Sequence, residues 1–250
     1  MRLERVRVQG FRCFEKETEL LVDGFTAILG RNDVGKSSLL EALQIFFDDG
    51  APDAGDVCTK AIDKQVRIIC EFADLPSQLV LDASHPTAFA DEYLLNARGL
   101  LEIHKVYDGL LKTPKLTGTY VMAEHPSAVG FNNLHEYKNA QLKTVAEGFG
   151  VDLAGVQKSI NTELRRAMWA HAEKTYGALM LKPTLLDVNK DGNKQIWAQL
   201  KDALPVFALF KADRPSTDQD SEAQDPIKAA VVEALKQQEA KLEELRAEVE

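Results

Sequence analysis

The stretch Gly30-Arg31-Asn32-Asp33-Val34-Gly35-Lys36-Ser37-Ser38 restricts what this chain can be more than any other. It has the form G-x-x-x-x-G-K-[ST], which wraps backbone around phosphate groups. Gly30 and Gly35 let the chain turn tightly and approach an anion where a side chain would obstruct. The N–H groups of the loop, those of Asn32, Asp33 and Val34 among them, are expected to form a nest for phosphate oxygens. Lys36 brings a point charge to the β- and γ-phosphates and is the expected catalytic residue, while Ser37 brings a hydroxyl ligand to Mg2+. Ser38 falls in the first turn of the helix that should follow, whose positive end adds to the site. A strand before the loop and a helix after it are the context the motif requires. Phe25-Thr26-Ala27-Ile28-Leu29 predicts a short buried strand. Leu39, Leu40, Ala42, Leu43, Ile45, Phe46 and Phe47 predict a helix with a wide apolar face.

A length of 250 residues allows one or two domains. No apolar run is long enough to span a bilayer. Met1–Val8 alternates charged and apolar residues as a strand does, unlike the continuous apolar stretch of a signal peptide. Cys13, Cys58 and Cys70 are far apart with no C-x-x-C pair, which reads as free thiols in a reducing, cytoplasmic compartment, without a zinc site. A formal net charge of −9 argues against a chain that coats nucleic acid uniformly, though not against a local basic patch.

Further strands are expected at residues 2–8, Glu19–Val22, Gln65–Phe72, Leu101–Tyr107 and Leu116–Met122, the last two as an antiparallel pair. Gly10-Phe11-Arg12-Cys13-Phe14 is a turn carrying two aromatics, and on its residues alone Arg12 is a solvated turn arginine. The acidic stretch Asp48–Asp56, with Gly and Pro in it, reads as a solvated loop rather than a metal site. With the loop, the string from Arg5 to Phe14 and the string from Gly24 to Leu43 resemble the N-terminus of ABC-type ATPase heads of the SMC, RecF, RecN and OLD (overcoming-lysogenization-defect) families. Those heads begin with a strand, a Phe-Arg-Ser-Phe-like turn, a second strand and a G-x-N-x-x-G-K-S loop. Here Cys13 stands at the Ser-like position and Asp33 where Gly or Asn is frequent. The resemblance covers residues 1–47 and is thin beyond. It implies that Arg12 lies near the nucleotide, and it implies an antiparallel β-subdomain beside the loop.

Residues 131–203 read as mostly helical, with Leu164, Ala167, Met168 and His171 at helical spacing. His85, His104, His125, His135 and His171 read as surface or packed histidines rather than ligands. Asp187–Asn193 opens like a calcium loop but carries Ala198 where the bidentate Glu belongs, so it reads as a polar turn. Leu79-Val80-Leu81-Asp82 is an apolar run with an Asp, too short to be read as the Mg2+-binding strand of a P-loop enzyme. Leu204–Phe210 predicts a buried strand, and the resemblance makes Gln219 or Gln224 the candidate for a glutamine loop, with a solvated linker as the alternative. Asp225-Pro226 is a helix start. From Val231 to Val249 apolar residues then follow a heptad seam, which fits a coiled-coil arm or a terminal amphipathic helix.

The expected fold is α/β, a P-loop NTPase built as the N-lobe of an ABC-type ATPase head, with an antiparallel β-subdomain, a helical insertion and a C-terminal coiled-coil-like helix. Residues 1–130 would form the N-lobe with its β-subdomain, 131–224 the helical insertion and return strand, and 225–250 the start of the arm. The Asp-Glu strand and the L-S-G-G-like signature that such ATPases carry are not found, and the heptad helix has no stop signal. Both point to a lobe completed by a C-terminal lobe, elsewhere in a longer chain or on a separate one. The resemblance implies ATP and Mg2+ as cofactors, a second ATPase head as partner, and DNA in the full assembly, in repair, chromosome maintenance or defence against phage. It gives no membrane partner, and weak or absent hydrolysis by this chain alone. Three alternatives stand beside it: an OLD-type endonuclease without its nuclease part here, a non-catalytic coiled-coil module with a structural nucleotide, and a self-sufficient P-loop kinase or NTPase with Asp82 or another acid as Mg2+ ligand.

Overall fold

The computed structural model describes residues 1–82, 85–190 and 194–209. Period-two alternation in the first half of the chain builds one sheet. Strand β1 (Arg2–Gln9) buries Val6 and Val8 on one face and places Arg5 and Arg7 on the other. The turn at Gly10–Phe14 brings back β2 (Thr18–Leu21). Then come β3 (Gln65–Ala73), a separate ribbon of β4 (Leu79–Asp82) and β5 (His85–Thr87), and β6 (Leu101–Asp108), β7 (Lys115–Pro126) and β8 (Leu181–Asp187). The main sheet has the order β2-β1-β3-β6-β7-β8, every pair antiparallel. Val6 stands opposite Cys70, Cys70 opposite Ile103, and Ile103 opposite Val121. All four are buried, so register fixes one apolar face across four strands.

Helix α1 (Lys36–Phe47) covers that face. Its buried residues Leu39, Ala42, Leu43 and Phe46 follow the i, i+3, i+4, i+7 spacing of one helix stripe. Burial of each large member contributes about 1.5–3 kcal/mol. Lys105 also points to this face, between Ile68 and Thr119 in register. It is 1% exposed, and its Nζ donates to the Phe46 carbonyl at 2.6 Å and to the Asp49 carboxylate. A cation at a helix C-terminus meets the negative end of the dipole and an unpaired carbonyl together.

The opposite face carries an ionic ladder. Glu71, 3% exposed, meets Arg7 at 3.3 Å and Arg98 at 2.7 Å. Glu102 is paired with Arg7, with His104 at 2.7 Å and with Asn96 at 2.8 Å. Burial alone would push the Glu102 carboxyl up, but these partners outweigh it and hold it at about 2.

A second apolar cluster is built by α2 (Asn139–Gly148) and α3 (Asn161–Tyr176), with Phe131, Leu142, Leu164, Met168 and Trp169 at its centre. Buried Glu92 binds its edge: Arg165 Nε donates to its carboxylate at 2.8 Å, and His135 Nε2 lies 2.8 Å from its carbonyl. Helix α4 (Lys194–Ala203) returns Ile196 and Leu200 to the first core.

Three expectations fail. Phe25–Leu29 is irregular, with Phe25 89% and Leu29 91% exposed, because no described strand lies beside it to bury an apolar run on both faces. Leu204–Phe210 is no strand over residues 204–209; Leu204 and Phe207 instead pack on the first core, the Phe207 ring stacked 5.1 Å from Phe47. Strand β8 was hidden in a region that reads as helical and irregular, since Pro183 interrupts its alternation and only pairing with β7 makes it a strand. Gln219, Gln224 and the heptad helix from Asp225 lie outside the described residues.

The buried histidines set a pH limit on stability. Burial first, and then the charge of Arg165, lower the pKa of His135 well below its usual value, and burial lowers that of His125. The unfolded chain takes up protons below a pH of about 6.5 while the folded chain does not, so stability falls as pH drops through that value. Urea unfolding at pH 7.5 and 5.5 should show a loss, each histidine adding up to about 1.4 kcal/mol per pH unit. His135→Gln should flatten the slope.

Candidate functional site

The end of α1 opposite Lys105 carries the Gly30–Ser38 loop. The first bond inside the helix runs from Leu39 N–H to the Gly35 carbonyl at 2.9 Å. The N–H groups of Lys36, Ser37 and Ser38 come before it and have no acceptor within the helix. Gly35 is the N-cap residue, no side chain caps the helix, and the first turn holds no acid. Four features therefore coincide: aligned donors, the positive dipole end, the Lys36 ammonium and no competing carboxylate in the first turn. The donor set fits an anion.

The loop reaches this shape through two left-handed residues, Asp33 at φ 66° and Gly35 at φ 98°. Gly35 also lies against the arginine turn, since a Cβ there would come 2.5 Å from Cys13 Sγ and 2.9 Å from the Phe14 ring. The glycine is required on both counts. At Gly30 a Cβ would meet side chains alone, Val34 at 2.9 Å and Lys36 at 3.9 Å. Lys36 Nζ donates to the carbonyls of Gly30 at 2.8 Å and Arg31 at 2.6 Å, so its charge closes the mouth of the loop. A hollow of about 390 Å³ is lined by Asn32, Asp33, Gly35, Lys36, Ser37, Ser38 and, from the neighbouring turn, Cys13. The structure thus brings together every loop residue singled out from the sequence except Gly30 and Val34, which stand at its rim, Val34 with 53% exposure.

Arg12 lies beside this hollow, at φ 47°. Its Nε donates to Asp56 Oδ1 at 2.7 Å, its Nη2 pairs with Glu41, and its Nη1 is 3.5 Å from Ser38 Oγ. The bond to Glu41, against the opposing effect of burial, and the bond to Asp56 raise the Arg12 pKa above its ordinary value.

Other sequence candidates are accounted for elsewhere. Asp82 lies on β4, whose strand partner is β5. Asp187 accepts from the Asn189 N–H at 2.9 Å, as a polar turn does. No group of His, Cys, Asp and Glu among the described residues is placed to hold a metal ion. Asp49 and Asp56 escaped sequence reading because an acidic Gly/Pro stretch looks the same whether solvated or paired. The Asp53-Ala54-Gly55-Asp56 spacing was the readable signal, since the Asp53 N–H donates to Asp56 Oδ2 at 2.9 Å across a short 3-10 turn.

A family model described as AAA ATPase domain (AAA_15) matches residues 1–250. The chain is also similar to the chromosome partition protein Smc of Cereibacter sphaeroides, 42% identical over 55 residues. That match covers 22% of this chain and spans only 5% of the Smc protein's length. Together they support an N-terminal ATPase region of the SMC/RecF-like ABC type. Among the described residues no helix is long and apolar enough to cross a membrane.

Replacing the glycine at the helix start tests the geometry. Gly35→Ala forces a Cβ into Cys13 and Phe14 at positive φ, and should destabilise the fold by about 1–3 kcal/mol. Thermal unfolding would read this as a lowered Tm.

Proposed function

Since the chain belongs to the AAA_15 family of ATPase domains, we propose that residues 30–38 bind ATP with Mg2+ and that this lobe works as half of an SMC-like ATPase site. The uncapped N-terminus of α1, ringed by the glycine loop, carries the reading. The N–H groups of Asn32, Asp33, Val34, Gly35 and Lys36 would take the β- and γ-phosphate oxygens, with Gly30 setting the turn. Lys36 would leave the Gly30 and Arg31 carbonyls for the phosphates and stabilise charge developing on the γ-phosphoryl group. Ser37 would ligate Mg2+, which when bound neutralises phosphate charge. Ser38 and Arg12 would face the phosphates nearer the nucleoside.

Among the described residues the hollow is lined by one carboxylate, Asp33, and no glutamate. Water activation is therefore assigned to an acid brought by a second lobe, on a longer chain or a separate one. Phe25 and Leu29, exposed beside the loop, suit a strand from that lobe. In this reading residues 1–130 and 131–224 form the lobe and 225–250 begins an arm. The chromosome-partition role in the printed name of the similar Smc protein makes DNA the proposed partner of the assembly, with ATP binding drawing two heads together.

Binding of a fluorescent ATP analogue with Mg2+, beside steady-state phosphate release, tests this. The chain should bind with saturation, and Lys36→Ala should weaken binding about tenfold or more. Phosphate release should be at background. Release that depends on Lys36 would place the activating acid within these 250 residues and overturn the half-site. Binding indifferent to Lys36 would overturn the nucleotide site itself.

A further inference from the structure

We propose that Asp56 and Glu41 are positioning residues for the nucleotide site, holding the Arg12 guanidinium against the first turn of α1 so that Nη1 faces a phosphate bound at Ser38. The inference rests on the nucleotide reading above and adds to it the residues that aim the arginine.

Arg12 has three donor edges, and their partners differ in kind. Nε is fixed by Asp56 Oδ1 at 2.7 Å and Nη2 by Glu41. Among the described residues Nη1 has only the Ser38 hydroxyl, at 3.5 Å, the outer limit of a hydrogen bond. Two edges are therefore committed to carboxylates, while the third is directed at a residue lining the phosphate hollow. Ser38 and Glu41 are three apart on α1 and share a face, so the guanidinium lies along the helix rather than across it.

Asp56 is itself held from three directions. Its Oδ2 accepts the Asp53 N–H at 2.9 Å, its carbonyl accepts the Arg12 N–H at 2.6 Å, and the adjoining Val57 bridges Phe11. Cys58 N–H then donates to the Gly10 carbonyl at 2.8 Å. The other end of the same acidic segment is anchored at Asp49, which pairs with buried Lys105 and, at 2.5 Å, with Lys201. A segment pinned at both ends gives Asp56 a fixed position, and Asp56 gives Arg12 one. An arginine held in its binding pose loses little rotamer freedom when the anion arrives, which favours binding.

Two roles are open to these carboxylates, and they have opposite effects on affinity. As positioning groups they strengthen binding through Arg12. As competitors with phosphate for the guanidinium they weaken it. Affinity for a fluorescent ATP analogue with Mg2+ would be measured on the 250-residue chain carrying Asp56→Asn, Glu41→Gln or Arg12→Ala, and on each of the first two combined with Arg12→Ala. Asp56→Asn and Glu41→Gln should each weaken binding about three- to tenfold. Arg12→Ala should weaken it by at least as much, and in that background the two carboxylate changes should have no further effect, which a general loss of stability would not produce. Asp56→Glu should recover part of the loss. Tighter binding by Asp56→Asn or Glu41→Gln would overturn the proposal in favour of competition. Unchanged binding, or equal losses with and without Arg12, would also overturn it. Failure of the underlying nucleotide reading is separate: it appears as wild-type binding that is absent or insensitive to Lys36→Ala.

Discussion

A lysine buried on the core face of the sheet holds this structure in its working arrangement. Lys105 stands where its strand neighbours Ile103 and Tyr107 are fully buried. Removing such a charge from water is unfavourable by several kcal/mol unless partners replace the solvent. They do: the Phe46 carbonyl ends α1, Asp49 begins the acidic segment, and the Phe46 ring lies 5.0 Å from the ammonium. One charge thus fixes how far α1 slides along the sheet and where the chain leaves it. The helix then carries opposite chemistry at its ends, a cation at the C-terminus and an anion cradle at the N-terminus, both in accord with its dipole.

From this anchor the acidic segment runs back toward the cradle. Asp49 joins Lys105 to Lys201 of α4, and both lysines depress the Asp49 carboxyl against the effect of its burial. Asp56, at the far end, meets Arg12. Acidic side chains are thus tied down in pairs on both faces of the sheet, Asp49 on one and Glu71 and Glu102 on the other. Their net contribution lies in fixing positions more than in raising stability, since partly exposed pairs add little each.

The sequence made much of this legible where a local rule governs. Strands β1, β2, β3, β6 and β7 follow alternation, α1 follows the apolar stripe from Leu39 to Phe46, and α3 follows its own helical spacing. The loop was legible because its residues have jobs that depend on type and spacing alone. What escaped depends on partners distant in sequence. Strand β8 exists through β7, and Phe207 packs by meeting Phe47. Phe25–Leu29 has the composition of a buried strand and lacks a described neighbour. Lys105 alternates in step with Ile103 and Tyr107, and its register with Ile68 and Thr119 turns it onto the core face, while His104 joins Glu102 on the other; residue type alone does not tell a buried charge from an exposed one.

The exposed Leu29 is joined directly to Gly30, so whatever covers that apolar run and whatever fills the loop act on one continuous piece of backbone. In the proposed reading, ordering it for one of the two would spare the other the same loss of conformational freedom. The two bindings would then share a coupling free energy, equal in both directions by thermodynamic necessity. A surface that holds its partner more tightly when phosphate is present must also hold phosphate more tightly when the partner is present. The reach of that reciprocity is set by a stretch of a few residues rather than by the whole fold.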